Sequence, residues 1–185
     1  LDYLDQKGLS DNTIVIYTSD QGFFLGEHGW YDKRFMYEES MGMPLIVRYP
    51  KEISPATQSD QLVLNLDFCP TILDYAGIEI PDEVQGESMR SLLQGNTPDK
   101  WRQSVYYHYY EYPQGWHDVK KHYGVRTKTH KLIHFYDDII ANEMYDLEKD
   151  PNEMNNIYDV EAFSKVRKEL ENELLRLRHY YKDSE

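Results

Sequence analysis

Thr13-Ile14-Val15-Ile16-Tyr17-Thr18 runs directly into Ser19-Asp20-Gln21-Gly22, and this stretch decides how the rest of the chain is read. Its first six residues are apolar or β-branched and do not alternate. That pattern predicts a strand buried on both faces, as in the parallel sheet of an α/β fold. In open α/β sheets, ligands bind beyond the carboxyl ends of the strands. Position alone therefore marks Asp20.

Upstream, residues 1–7 read as the end of a helix, followed by Gly8 and the turn cluster Ser10-Asp11-Asn12. There is no initiator Met, as expected of a piece of a longer protein, so a missing leader says nothing about compartment. Downstream, residues 23–43 read as a Gly- and aromatic-rich loop. Met43-Pro44-Leu45-Ile46-Val47-Arg48-Tyr49-Pro50 is a second short strand stopped by Pro50. Residues 66–76 predict a helix with Asp67 at its N-cap, Pro70 in its first turn and Gly77 after its end. Residues 87–93 predict a shorter one closed near Gly95.

The pattern then changes. Residues 105–112, 124–127, 131–136 and 143–147 read as successive strands, with a hairpin turn at 127–130. Strands without intervening helices imply an antiparallel sheet and a second, α+β unit. Phe163, Val166, Leu170, Leu174, Leu177 and Tyr181 then recur at helical spacing as one apolar stripe. Lys165 with Glu169 and Arg167 with Glu171 decorate the other faces. The division expected is residues 1–104, part of an α/β domain, and 105–185, a small antiparallel-sheet subdomain with a long terminal helix.

The 185 residues carry 20 Lys plus Arg against 33 Asp plus Glu, a net charge of -13. That acidity argues against nucleic acid or an anionic membrane as a partner. It also requires that any anionic substrate be met by a local cation. No run is long enough for a membrane span. The single Cys excludes an intrachain disulfide and a Cys-rich metal site in this segment. The 17 Tyr fit polar, sugar-binding pockets and ordinary core packing equally well.

Chemistry is densest in residues 19–40. Asp20 and Gln21 offer a carboxylate and an amide carbonyl, hard oxygens suited to Ca²⁺ or Mg²⁺ and poorly suited to Zn²⁺. Lys33 supplies a compact cation for an oxyanion. Taken alone, an Asp-Gln pair after a strand is more often a simple turn. The blocks Ser19-Asp20-Gln21-Gly22, Gly26-Glu27-His28-Gly29, Lys33-Arg34, Tyr37-Glu38-Glu39-Ser40 and Pro44-Leu45-Ile46-Val47 together resemble the sulfatase family of the alkaline-phosphatase superfamily. Asp67 with Pro70-Thr71-Ile72-Leu73, Gln85-Gly86-Glu87-Ser88 and Met144-Tyr145-Asp146-Leu147 with Asp150-Pro151-Asn152-Glu153 extend the likeness over nearly the whole chain.

The resemblance implies the C-terminal part of an alkaline-phosphatase-like α/β/α sandwich. It assigns Asp20 as a Ca²⁺ ligand, Gln21 as a second metal ligand or a sulfate contact, and Lys33 as the catalytic sulfate-binding cation. Arg34 and Glu39 become scaffold, as an ion pair. His28 borders the pocket, although a loop His that only packs is an equal reading. Residues 111–127, dense in His and cations, are most similar to N-acetylglucosamine-6-sulfatases. On that likeness His117 and His122 contact the sugar, with Lys120 and Lys121 beside anionic groups; a solvated loop with one packed His is the alternative.

Sulfatases attack with a formylglycine formed in a C/S-x-P-x-R motif, and that motif is absent here. Cys69-Pro70-Thr71-Ile72-Leu73 lacks its Arg, and Cys69 is expected to be a small buried residue. Asp146, Glu148, Asp150 and Asn152 begin like a Ca²⁺ loop, but Pro151 and Ile157 occupy its Gly and Glu positions. The expected function is that of a sulfatase piece contributing metal and sulfate ligands. It is inactive alone and partnered by the missing N-terminal part and a sulfated carbohydrate. The whole protein is expected to be exported to a periplasmic, secreted or lysosomal compartment. A phosphate- or phosphonate-ester hydrolase of the same superfamily and a non-catalytic sugar-binding module are the rival readings.

Overall fold

The computed structural model describes residues 1–113 and 117–183. These form two compact units, residues 1–20 with 44–102, and residues 21–43 with 103–183. Residues 21–43 thus pack with the second unit, although in sequence they follow the first strand. The reason lies in their composition: Phe24, Phe35, Met36 and Tyr37 are all buried in the core of that second unit.

The first unit opens with α1 (Asp2–Gln6) and β1 (Val15–Thr18), which pairs with β2 (Leu45–Arg48). The pairing is antiparallel, with Val15 opposite Arg48 and Thr18 opposite Leu45. Burial of β1 on both faces is not found: Ile16 and Tyr17 are exposed, as is Ile46 on β2. Within this unit β2 is the one strand beside β1, and a two-stranded ladder cannot enclose its side chains.

A 3₁₀ turn, Asn65–Asp67, leads into α3 (Phe68–Ala76), which ends at Gly77 with φ +68. This left-handed residue lets the Gly77 and Ile78 amides return to the Asp74 and Leu73 carbonyls. Asp67, fully buried, stands at the N-terminus of α3 as expected but makes no side-chain cap bond to it. Its carboxylate accepts the amides of Leu64 (2.7 Å) and Glu87 (2.9 Å) and both guanidinium arms of Arg102. Cys69 is exposed rather than buried, because Pro70 and Thr71 occupy the inward face. α4 (Arg90–Leu93) completes a core of Met89, Leu92 and Trp101.

The second unit is an antiparallel sheet in sequential order: β3 (Ser104–Tyr109), β4 (His122–Thr127), β5 (His130–Phe135) and β6 (Ala141–Asp146). Alternation along the strands sends Val125, Leu132 and Met144 to one face. There they meet Leu170, Leu174 and Leu177 of α5 (Ser164–Tyr180). Burying such side chains contributes roughly 1.5–3 kcal/mol each, whereas the exposed Lys165–Glu169 pair contributes a few tenths. Arg167 bonds the Tyr158 carbonyl, and Glu171 accepts the Tyr158 hydroxyl, in place of the expected pair.

The other face carries Tyr109, Ile133, Phe135 and Tyr145, packed against Phe24, Phe35, Met36 and Tyr37. Gly124 makes this approach possible. A Cβ there would lie 2.5 Å from Met36 Sδ and 2.4 Å from the Leu132 carbonyl. Among the described residues no helix is long and apolar enough to cross a membrane.

Candidate functional site

Ser40 organises the loop that follows β1. It is fully buried in the short helix α2 (Glu38–Met41). Its Oγ donates to the Lys33 carbonyl at 2.7 Å and accepts from Gln21 Nε2 at 3.1 Å. Gln21 Nε2 also donates to that same carbonyl. The Ser40 carbonyl takes the Gly22 amide at 2.8 Å. Gly22 is required there, since a Cβ would stand 2.0 Å from the Glu39 carbonyl oxygen. Gln21 and Lys33, twelve residues apart, are thereby tied at one point. With Nε2 engaged as a donor, the ligand-capable atom of the Gln21 amide is its oxygen.

Asp32 fixes the other side of Lys33. Its Oδ1 accepts the Lys33 amide at 2.6 Å and the Arg34 guanidinium, and its own carbonyl takes the Phe24 amide at 2.7 Å. Arg34 therefore pairs with Asp32 rather than with Glu39. The Tyr107 hydroxyl donates to the Arg34 carbonyl at 2.6 Å. His117 Nδ1 lies 3.8 Å from Asp32 Oδ2, which places this His beside the Lys33 segment.

His28 sits in a left-handed conformation (φ 54, ψ 14) between Gly26 and Gly29. Its ring stacks on Tyr37 at 4.2 Å with an interplanar angle of 7°. Nε2 faces Glu39 Oε2 at 3.5 Å, and neither atom has a hydrogen-bond partner among the described residues. Below the stack, Glu143 accepts the hydroxyls of Tyr37 (2.7 Å) and Tyr145 (2.9 Å). Burial, with the Glu143 charge second, pushes both phenols well above their usual range.

His122 requires correction as a sugar contact. It is fully buried, ringed by Phe35, Tyr107, Tyr109 and Phe135. Its Nδ1–H donates to the Lys120 carbonyl at 2.7 Å. Burial pushes its pKa down to about 4, so it is a neutral core residue at neutral pH. Lys120 and Lys121 are neutralised by Asp138 (2.8 Å) and Asp137 (2.9 Å).

Asp20, in the first unit, is exposed at the end of β1, and Ser19 Oγ donates to it at 3.3 Å. Among the described residues no three His, Cys, Asp or Glu side chains converge as a metal site. A cleft of about 970 Å³ in the first unit runs along β2 and residues 49–63 and includes none of the predicted site residues. Sequence reasoning passed over Ser40 and Asp32 as functional positions. Ser40 lay in a quoted motif, but nothing in that motif says which backbone carbonyl its hydroxyl would reach.

A family profile described as "N-sulphoglucosamine sulphohydrolase, C-terminal" matches residues 26–180. The chain is 55% identical over 100% of its length to an N-acetylglucosamine-6-O-sulfatase of Bacteroides thetaiotaomicron, covering 33% of that protein. A solved structure, described as a complex with its substrate D-glucosamine-2-N,6-O-disulfate, superposes with a TM-score of 0.95. It is 55% identical, with 100% of this chain and 38% of that one covered. A phosphonate monoester hydrolase of Agrobacterium radiobacter superposes with a TM-score of 0.82 at 26% identity, covering 97% of this chain and 37% of its own. The chain thus spans about a third of the length of the relatives it matches.

Proposed function

Because the chain belongs to the N-sulphoglucosamine sulphohydrolase C-terminal family of sulfatases, we propose that the whole protein hydrolyses sulfate esters of a sulfated hexosamine. The leading substrate is 6-sulfated N-acetylglucosamine, the sugar named in the 55%-identical relative. The fold is the alkaline-phosphatase-like one of its structural neighbours, and this chain is its C-terminal part. One observation carries the reading most directly: the Ser40 hydroxyl holds Gln21 and the Lys33 carbonyl together.

In this reading the Lys33 ammonium meets a sulfate oxygen and offsets the charge that grows there as the ester bond breaks. Asp32 and Ser40 hold the Lys33 backbone on either side, which fixes the point from which its side chain reaches the ester. His117, beside Asp32, and His28, fixed by its stack on Tyr37, take the sugar. Asp20 and Gln21 are consecutive and offer a carboxylate and an amide oxygen, a hard donor pair that fits Ca²⁺. Bound there, Ca²⁺ would neutralise sulfate charge, and a formylglycine elsewhere in the whole protein would supply the nucleophile. An exported location is part of this reading.

The likeness in fold to a phosphonate monoester hydrolase favours one rival, the hydrolysis of phosphonate or phosphate esters. Parallel assays of the whole protein on N-acetylglucosamine 6-sulfate and on a phenyl phosphonate monoester decide between them. Faster sulfate release supports the sulfatase reading. Faster phosphonate cleavage overturns it, and binding of the sulfated sugar without turnover indicates a non-catalytic module.

A further inference from the structure

Lys131 and Glu153 are both fully buried on the face of the sheet that carries residues 21–43. Lys131 Nζ lies 2.7 Å from Glu153 Oε1 and 2.9 Å from Glu38 Oε1. Glu38 also receives Arg126, Nε at 3.2 Å and Nη2 at 3.0 Å. Glu153 Oε2 in turn accepts the backbone amide of Glu38 at 2.6 Å. Two acids and two cations are thus closed upon the first residue of α2.

Such an arrangement is a poor way to gain stability. Buried ion pairs roughly cancel their own desolvation, and well-packed apolar residues often serve a fold as well or better. What a closed charge cluster does supply is a single geometry, because any displacement leaves a charge buried and unpaired. Here the geometry is that of α2. Two residues beyond Glu38, α2 presents Ser40, whose hydroxyl takes Gln21 Nε2 and donates to the Lys33 carbonyl.

We propose that Glu38, Arg126, Lys131 and Glu153 form a positioning cluster that sets α2, and through Ser40 the Lys33 and Gln21 groups, for turnover of the sulfate ester. It rests on the function proposed above. None of the four touches substrate; each acts through Ser40. The cluster also gives the C-terminal subdomain a role beyond packing, since β4, β5 and the segment after β6 each contribute one member.

The test uses the whole protein with Ca²⁺ and N-acetylglucosamine 6-sulfate, and measures kcat, KM and thermal unfolding for wild type, Lys131→Met, Ser40→Ala and the double variant. Wild type without sulfate release sinks the parent reading rather than the positioning one. With an active wild type, Lys131→Met is expected to lower kcat at least tenfold while KM moves less than threefold. The double variant is then no more than about twofold worse than the poorer single one, because both act along one path. A folded Lys131→Met with kcat within twofold of wild type overturns the proposal, as do single losses that multiply in the double variant. If Lys131→Met does not fold, Arg126→Lys takes its place in the same cycle: it keeps the charge but loses the two-armed contact with Glu38.

Discussion

Ser40 Oγ donates to the carbonyl of Lys33 at 2.7 Å, across seven residues of chain, from a position with no solvent exposure. The same hydroxyl takes the amide of Gln21. The backbone of Lys33 and the side-chain amide of Gln21, proposed above as sulfate cation and metal ligand, therefore share one anchor.

Replacement of Ser40 by Ala removes that anchor. If Gln21 is a Ca²⁺ ligand, one of its outer-shell bonds is lost, another being to the Lys33 carbonyl, and losses of this kind cost 10–100-fold in metal affinity. Calcium titration of activity in the whole protein should show a half-maximal concentration raised by about that factor. An unchanged calcium requirement would remove Gln21 from the ligand set.

Asp67→Ala should be among the most damaging changes in the first unit. It removes the buried carboxylate that Arg102 pairs with and leaves the Leu64 and Glu87 amides without that acceptor. Breaking a buried pair from one side costs about 3–5 kcal/mol. Denaturant unfolding should show a loss of this size. A change below about 1 kcal/mol would mean that water replaces the carboxylate.

His122 makes the fold acid-sensitive. Its pKa is held down to about 4 by burial, with the Lys120 carbonyl opposing and the His108 charge adding, against about 6.5 in the unfolded chain. Between those values the unfolded state binds more protons, so stability rises with pH there. The contribution is complete above about pH 6.5 and is lost as pH falls toward 4, amounting to at most about 3 kcal/mol. His122→Phe should flatten unfolding free energy across that window. An equally steep dependence in the variant would assign the acid sensitivity to other groups.

Gly124→Ala should destabilise the second unit by about 1–3 kcal/mol, since its methyl group meets Met36 Sδ and the Leu132 carbonyl. Thermal unfolding reads this directly. A neutral result would show that the 21–43 segment yields without cost.

The antiparallel sheet and its helix were legible in the sequence because period-two and period-3.6 patterns report which face is buried. The Phe163-to-Tyr181 stripe lies in the core cluster that joins α5 to the sheet. Patterns of that kind do not say what lies opposite. Thr13–Thr18 read as doubly buried, yet Ile16 and Tyr17 are exposed, since burial of a strand depends on neighbours remote in sequence. Cys69 and His122 failed in opposite directions for the same reason: exposure is a tertiary property. The Lys131–Glu153 and Ser40–Lys33 contacts involve common residue types at spacings with no local signature. The family resemblance pointed to the loop, whereas the bonds that hold it became visible only in the folded chain.

The most direct measurement is kcat/KM for N-acetylglucosamine 6-sulfate in the whole protein carrying Lys33→Ala. Loss of a donor aimed at developing charge should lower it about 10²–10³-fold, with Lys33→Arg restoring only part. Activity within threefold of wild type would contradict the account, because Lys33 would then not be the cation that meets the ester.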